Sequence, residues 1–240
     1  MLHKRIKQFI NYRRYLDKIH RSNDDIYALQ IIQKLFENGT YLPFTPFSLN
    51  PYTIVHVLND IILNQRKQIV EFGSGISTII IAQFIKVNNL DTKILSIDHN
   101  KNWQEIVVKE VGKYSATDAL TLLHAEIKKN KNPDFLFYNN NSWYENEVIE
   151  AAIEKLEDID LVVVDGPSTA ESIYMRYPAL PSLKKKLASS FCVFLDDIRR
   201  IGEKEIAEQW NKQCQGQLKI EKIYATISKG HNFSTKPLSH

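Results

Sequence analysis

"QIVEFGSGISTIIIAQF", residues 68–84, passes from an apolar stretch through an acid, Glu71, and a turn at Gly73-Ser74-Gly75 into a second apolar stretch. Glycine accepts backbone conformations closed to other residues and lets a ligand approach the main chain. A glycine turn between a buried strand and a helix is therefore read as a ligand cradle. From this point the chain alternates short strands with helical stretches: QIVEF and helix 76–88, KILSID and helix 102–113, ALTLLH and a polar, Asn-rich insertion. A helix near 144–157, IDLVVVD, a helical stretch ending at Leu187, FCVFLDD and helix 200–213 follow, and the tail reads as an antiparallel hairpin. Strands rich in Val, Ile and Leu without alternation are covered on both faces, as in a parallel sheet flanked by helices. The expected fold is α/β: a doubly wound, mainly parallel, seven-stranded sheet.

Upstream, apolar residues at helical spacing predict two N-terminal helices ending near Asn38-Gly39. The proline-rich connector YLPFTPFSLNPYTI should run extended and help wall a pocket, until Asn50-Pro51 opens a helix to about Asn64. Residues 1–50 are thus expected as a helical extension with its connector, and residues 51–240 as the ligand-binding domain. The 240 residues, 43% hydrophobic, suffice for one sizeable core. Lysines, acids and amides interrupt every candidate membrane span, and the first 20 residues lack a signal-peptide pattern, so a cytoplasmic location is expected. Cys192 and Cys214 have no metal-site or disulfide spacing and read as reduced, structural thiols.

The net charge of +3 does not by itself argue for nucleic acid, but Lys4, Arg5, Lys7, Arg13, Arg14, Lys18 and Arg21 face only Asp17 at the N-terminus. Such a helix could meet a membrane surface or an acidic protein partner. Alternatively it is a solvated face packed on the domain through Ile6, Phe9, Ile10 and Leu16. A homo-oligomer stays open.

Each expected strand ends on something polar: Glu71, Asp98, His124, Asp165, and the pair Asp196-Asp197. Acids gathered at one sheet edge repel unless cations or protons offset them, so the edge is arranged for something positive. A dinucleotide would call for a third glycine, and Thr78 follows Gly73 and Gly75 at its place. S-adenosylmethionine, with an ammonium and a sulfonium and no phosphate, suits an acid beside the turn. Its ribose hydroxyls need a carboxylate acceptor, the role expected of Asp98.

VEFGSGIST, SIDH, DLVVVDGP and VFLDD together resemble the class I S-adenosylmethionine-dependent methyltransferases, with their Rossmann-like sheet, over roughly residues 50–230. A poorly characterised bacterial subgroup shows a similar DGPSTAESIYMRYPALPSL stretch. The resemblance implies cofactor contacts from Glu71, Gly73, Ser74, Gly75, Ser77, Thr78, Asp98 and His99, with Ser77 standing for the family's last glycine. It also implies adenine contacts near His124 and Ala125, although His124 could equally bond a backbone group.

Transfer to a hydroxyl requires positioning it and assisting loss of its proton. Three readings of Asp165, Asp196 and Asp197 compete: a Mg²⁺ site; Asp165 or Asp196 as a metal-free base; or structural acids, one neutralised by Arg199 or Arg200. Trp143, Tyr144, Ser168 and Arg176 are acceptor-pocket candidates, against core packing for Trp143 and Tyr144 and an ion pair with Glu171 for Arg176. The expected reaction is methylation, at oxygen, of a small molecule or glycan. Nucleic acid is disfavoured because Asp165-Gly166-Pro167-Ser168 stands where base-modifying enzymes carry an Asn/Asp-Pro-Pro-aromatic motif. An RNA methyltransferase and a noncatalytic partner protein are the alternatives.

Overall fold

The computed structural model describes residues 2–37, 39–138, 140, 142–230 and 233–238, without the side chains of 2–10, 13, 14, 17, 18 and 21. The seven basic side chains singled out at the N-terminus, Ile6, Phe9 and Ile10, and the stop at Asn38 lie outside what is described. No proline or glycine interrupts residues 2–33, and they form one helix, α1 (Leu2–Gln33), where two were expected. Its buried stripe is Ala28 and Ile32, continued by Phe36, while Ile26 and Leu29 face out. After the connector, the Asn50 side chain accepts from the Tyr52 N–H and caps α2 (Pro51–Leu63), with Pro51 at its first turn.

The alternating region then delivers β1 (Gln68–Phe72), α3 (Ile76–Val87), β2 (Lys93–Asp98), α4 (Lys101–Lys113) and β3 (Leu120–His124). The insertion contains a small antiparallel pair, β4 (Ile127–Lys129) and β5 (Ser142–Tyr144), that the sequence did not suggest. The chain continues through α5 (Asn146–Ile153), β6 (Ile159–Val164), α6 (Ala179–Leu183), β7 (Leu187–Leu195), α7 (Ile201–Cys214), β8 (Gln217–Ile220) and β9 (Ala225–Lys229). The helix expected to reach Leu187 stops at Leu183, and β7 begins at Leu187, which pairs with Ile159 of β6.

The seven-stranded sheet has the order β3-β2-β1-β6-β7-β9-β8, parallel through β7 and antiparallel at β9 and β8. Its inner strands are buried on both faces, which is why they read as unbroken apolar runs. Ile69, Leu161 and Val163 face one core with α2 and α3, and Val70, Val162 and Val164 face the other with Trp143 and Trp210. The chain winds outward from β1 to β3 and then returns to place β6 on the other side of β1. That reversal opens a crevice above the carboxyl ends of β1 and β6, the place where α/β sheets receive ligands. Among the described residues no helix is long and apolar enough to cross a membrane.

Candidate active site

Beyond Phe72 the chain turns at Gly73, whose φ of +96° is a left-handed conformation, and the Gly73 N–H donates to the Ile97 carbonyl at 2.8 Å. Asp98, at the end of β2, accepts from the Ser74 N–H at 3.0 Å and the Asn100 N–H at 2.7 Å. The Trp103 indole donates to the Ser74 carbonyl at 2.6 Å, so α4 fixes the far side of the same turn. A side-chain carbon on Gly75 would meet nothing within 4 Å, because Gly75 opens onto a cavity.

Glu71 behaves differently from Asp98. Its carboxylate is fully buried and accepts from Ser77 at 2.6 Å, Thr78 at 2.5 Å and Ser96 at 2.6 Å. Burial pushes its pKa up, against the pull of those three hydroxyls. The expected cofactor contact from Glu71 is therefore corrected: the group ties β1 to β2 and α3 and is absent from the cavity wall. Thr78, also wholly buried, accepts from the Gly75 N–H at 2.9 Å and passes the link to Glu71. Both residues shape the cradle from behind.

The cavity, of about 780 Å³, is bounded by residues 73–77 and 98–100 on one side and 165–169, Asp196, Asp197, Arg199 and Arg200 on the other. Connector residues 45–50 form part of its wall, as their composition suggested. Tyr144 reaches it as well, almost wholly buried, with a hydroxyl that has no hydrogen-bond partner among the described residues. Burial and the charge of Asp98 push its pKa well above the ordinary tyrosine value. A buried hydroxyl without a partner is costly, so a ligand atom at this point would satisfy it.

Across the crevice, β6 and β7 bring Asp165, Asp196 and Asp197 together, with one carboxylate oxygen of each within 4.8 Å of the others. Arg176 enters from the segment after β6 and is almost fully buried. Its guanidinium lies 3.3 Å from Asp165 Oδ1 and 3.2 Å from Asp197 Oδ2. The same group donates to the carbonyls of Asp165 at 2.8 Å, Pro167 at 3.3 Å and Asp196 at 3.4 Å. Arg200 adds a second cation 2.8 Å from Asp197 Oδ2. A divalent ion would stand against a buried guanidinium already committed to these oxygens, so the donor set fits arginine rather than Mg²⁺. Arg176 thus lines the cavity with its guanidinium committed to these oxygens, and its ion pairs are with Asp165 and Asp197 rather than Glu171.

Burial first, then the neighbouring Asp197, pushes the Asp196 carboxyl up to about 6. Burial and the charge of Asp196 raise Asp165 well above the carboxylate range, with Arg176 opposing them. No Lys or Arg among the described residues forms an ion pair with the Asp196 carboxylate itself.

Gly73, Ser74, Gly75, Ser77, Asp98, His99, Tyr144, Asp165, Ser168, Arg176, Asp196 and Asp197 all reach the one cavity. Besides Glu71 and Thr78, three expected contacts do not. His124 turns its ring to donate from Nε2 to the His99 carbonyl at 3.0 Å, and Ala125 is buried in the core. Trp143 is wholly buried beside Phe72, ring centres 5.2 Å apart, because alternation along β5 sends it to the sheet face. The sequence reading missed Asn100 and Trp103. An Asn three residues ahead of the indole is a helix-capping pattern, and the Asn100 side chain does accept from the Trp103 N–H at 3.0 Å.

A crevice at the switch point, a glycine turn and an acid at the end of the second strand define a nucleoside-binding α/β enzyme. A profile described as a methyltransferase domain matches residues 70–198, just over half of the chain. The chain belongs to this family and is a class I S-adenosylmethionine-dependent methyltransferase. Solved structures agree on the fold. A Staphylococcus aureus protein provisionally assigned as a caffeoyl-CoA O-methyltransferase superposes with TM-score 0.55 at 15% identity, covering 91% of this chain and 99% of its own. The Podospora anserina methyltransferase PaMTH1, bound to S-adenosylhomocysteine, gives TM-score 0.55 at 10% identity over 92% and 96%. An O-methyltransferase from Bacillus cereus in complex with S-adenosylhomocysteine gives 0.50 at 12% identity over 86% and 91%. No curated protein sequence matches the chain.

Proposed function

We propose that the enzyme methylates a hydroxyl oxygen of a small, polar acceptor without a metal, with Asp196 as the general base. The observation that carries this reading is Asp196 itself: a carboxylate on the cavity wall, pushed up to about 6, with no cation paired to it among the described residues. Asp165 and Asp197, its neighbours, are occupied by Arg176 and Arg200.

The cradle fits the cofactor on the chemistry of its own groups. Gly75 leaves open space, Asp98 offers carboxylate oxygens for hydroxyls, and the Tyr144 hydroxyl is unsatisfied. Bound there, S-adenosylmethionine supplies an activated methyl group on a sulfonium. Gly73, Ser74, Gly75 and Ser77 would hold it from the β1 side and Asp98 and His99 from the β2 side. Asp196 accepts the hydroxyl proton as the oxygen becomes nucleophilic, a service typically worth about 10²–10⁴-fold. Arg176 acts through others, holding Asp165 and the carbonyls at the ends of β6 and β7 in place. Ser168 lines the same cavity, which supports a role in orienting the acceptor.

The test is transfer of a labelled methyl group to a panel of phenols, polyols and amines. Labelled ethers should form, and Asp196→Asn should lose about 100-fold or more in rate while still binding S-adenosylhomocysteine. Transfer to amines alone, or an unchanged rate in Asp196→Asn, would overturn the assignment.

A further inference from the structure

A second cavity of about 380 Å³ adjoins the first and shares Asn50, Arg199 and Ile223 with it. Every residue lining it lies outside residues 70–198, the segment that matches the family. It is built instead from the second half of α1, the start of α2, the β8–β9 turn and the C-terminal tail. The compartment thus lies beside the cradle and is lined by segments outside the matched family segment.

The six charged residues lining this compartment, Asp24, Asp25, Glu221, Arg199, Lys222 and Lys236, are unevenly committed. Lys222 pairs with Asp24 at 3.3 Å and Lys236 with Glu221 at 2.5 Å, so both lysines have their counter-ions built in. Arg199 donates through Nε to the Lys222 carbonyl at 3.0 Å, which fixes its stem. Its two terminal nitrogens have no partner among the described residues. A guanidinium held by one edge and free at the other is prepared for a two-pronged anion. Arg199 also lines the first cavity together with Asp196, so the compartment it borders opens towards the base.

We infer that this compartment is an acceptor subsite, and that the acceptor carries a phosphate or carboxylate that Arg199 receives. The inference rests on the methyl-transfer reading above but is tested apart from it. Enzyme saturated with S-adenosylhomocysteine would be titrated calorimetrically with glucose 6-phosphate, glucuronate and glucose at millimolar concentrations. At least one anionic probe should bind, with glucose at least tenfold weaker, and the phosphate and carboxylate arms identify which anion is preferred. Arg199→Gln should weaken the anionic probe at least tenfold and leave S-adenosylhomocysteine affinity unchanged. Ser22→Trp, an exposed position on the compartment wall, should weaken it similarly by filling the space. Equal binding of glucose, no binding of either anion, or wild-type affinity in Arg199→Gln would overturn the subsite. A separate titration of the wild type and each variant with S-adenosylhomocysteine distinguishes the two readings: absence of that binding in the wild type would overturn the methyltransferase site, whereas its presence with no anion binding would overturn the subsite alone.

Discussion

Gly73 and Gly166 meet backbone to backbone across the ends of β1 and β6. A side-chain carbon on Gly73 would lie 2.8 Å from the Gly166 nitrogen, and one on Gly166 would lie 2.7 Å from Gly73 Cα. Neither obstacle is a flexible side-chain end, and Gly73 is also left-handed. Gly73→Ala should therefore cost roughly 1–3 kcal/mol or more of stability, read by urea denaturation. Gly75 has an extended φ of −176° and open space beside it. Gly75→Ala should keep near-wild-type stability and lose affinity only for S-adenosylhomocysteine, separating cradle shape from fold.

The raised Asp196 carboxyl gives the reaction a pH signature. The basic form is the working one, so kcat/KM should rise through about pH 6 and level off above it. Stability should move the other way. The folded state keeps this proton up to about pH 6 while the unfolded chain releases it near 3.8, so this group's contribution falls as pH rises between those values. Asp196→Asn should abolish the kinetic rise and gain on the order of 1 kcal/mol of stability at neutral pH.

Because Arg176 supplies the cation among the aspartates, chelators should leave the wild-type rate unchanged, and Mg²⁺ should produce no thermal shift. Arg176→Met strands buried carboxylates and should cost about 3–5 kcal/mol in denaturant unfolding. Arg176→Met combined with Asp165→Asn should recover part of that loss, since the pair is in direct contact.

A buried network anchors the C-terminal tail to α2. His56 Nδ1 lies 2.6 Å from the Tyr224 hydroxyl and Nε2 3.0 Å from Thr235 Oγ1, which donates to Asp60 at 3.1 Å. Burial, with Lys236 adding to it, lowers the His56 pKa from 6.5 to about 3. Below pH 6.5 the unfolded chain takes up a proton that the folded one refuses, so stability should fall with acidification from there towards about pH 3. His56→Gln should flatten that slope in denaturation curves measured between pH 4 and 7. Thr235→Val should cost about 1–3 kcal/mol by leaving partners unsatisfied.

The order of strands and helices, the two-sided burial of β1, β6 and β7, and the cradle at Gly73 and Gly75 were legible in the sequence because each is signalled locally. Apolar runs state burial, and glycines state where the backbone must turn or admit a ligand. The terminal hairpin, Asn50 as a cap and the connector as a cavity wall were readable for the same reason. The length of α1, the β4–β5 pair and the start of β7 were not, since propensity alone is silent about distant partners such as Ile159 for Leu187.

What only the tertiary structure decided is which polar residues work on a ligand and which on the protein. Glu71 and Asp98 look alike as strand-end acids, yet Glu71 precedes the last residue of its strand and turns into a nest of three hydroxyls, while Asp98 ends its strand at the crevice. Arg176 finds its carboxylates and carbonyls on two strands that meet only when the sheet forms. Local pattern follows from what each residue does to its own stretch of backbone, whereas charge pairing and the desolvation of an acid depend on groups that folding alone brings within a few ångströms.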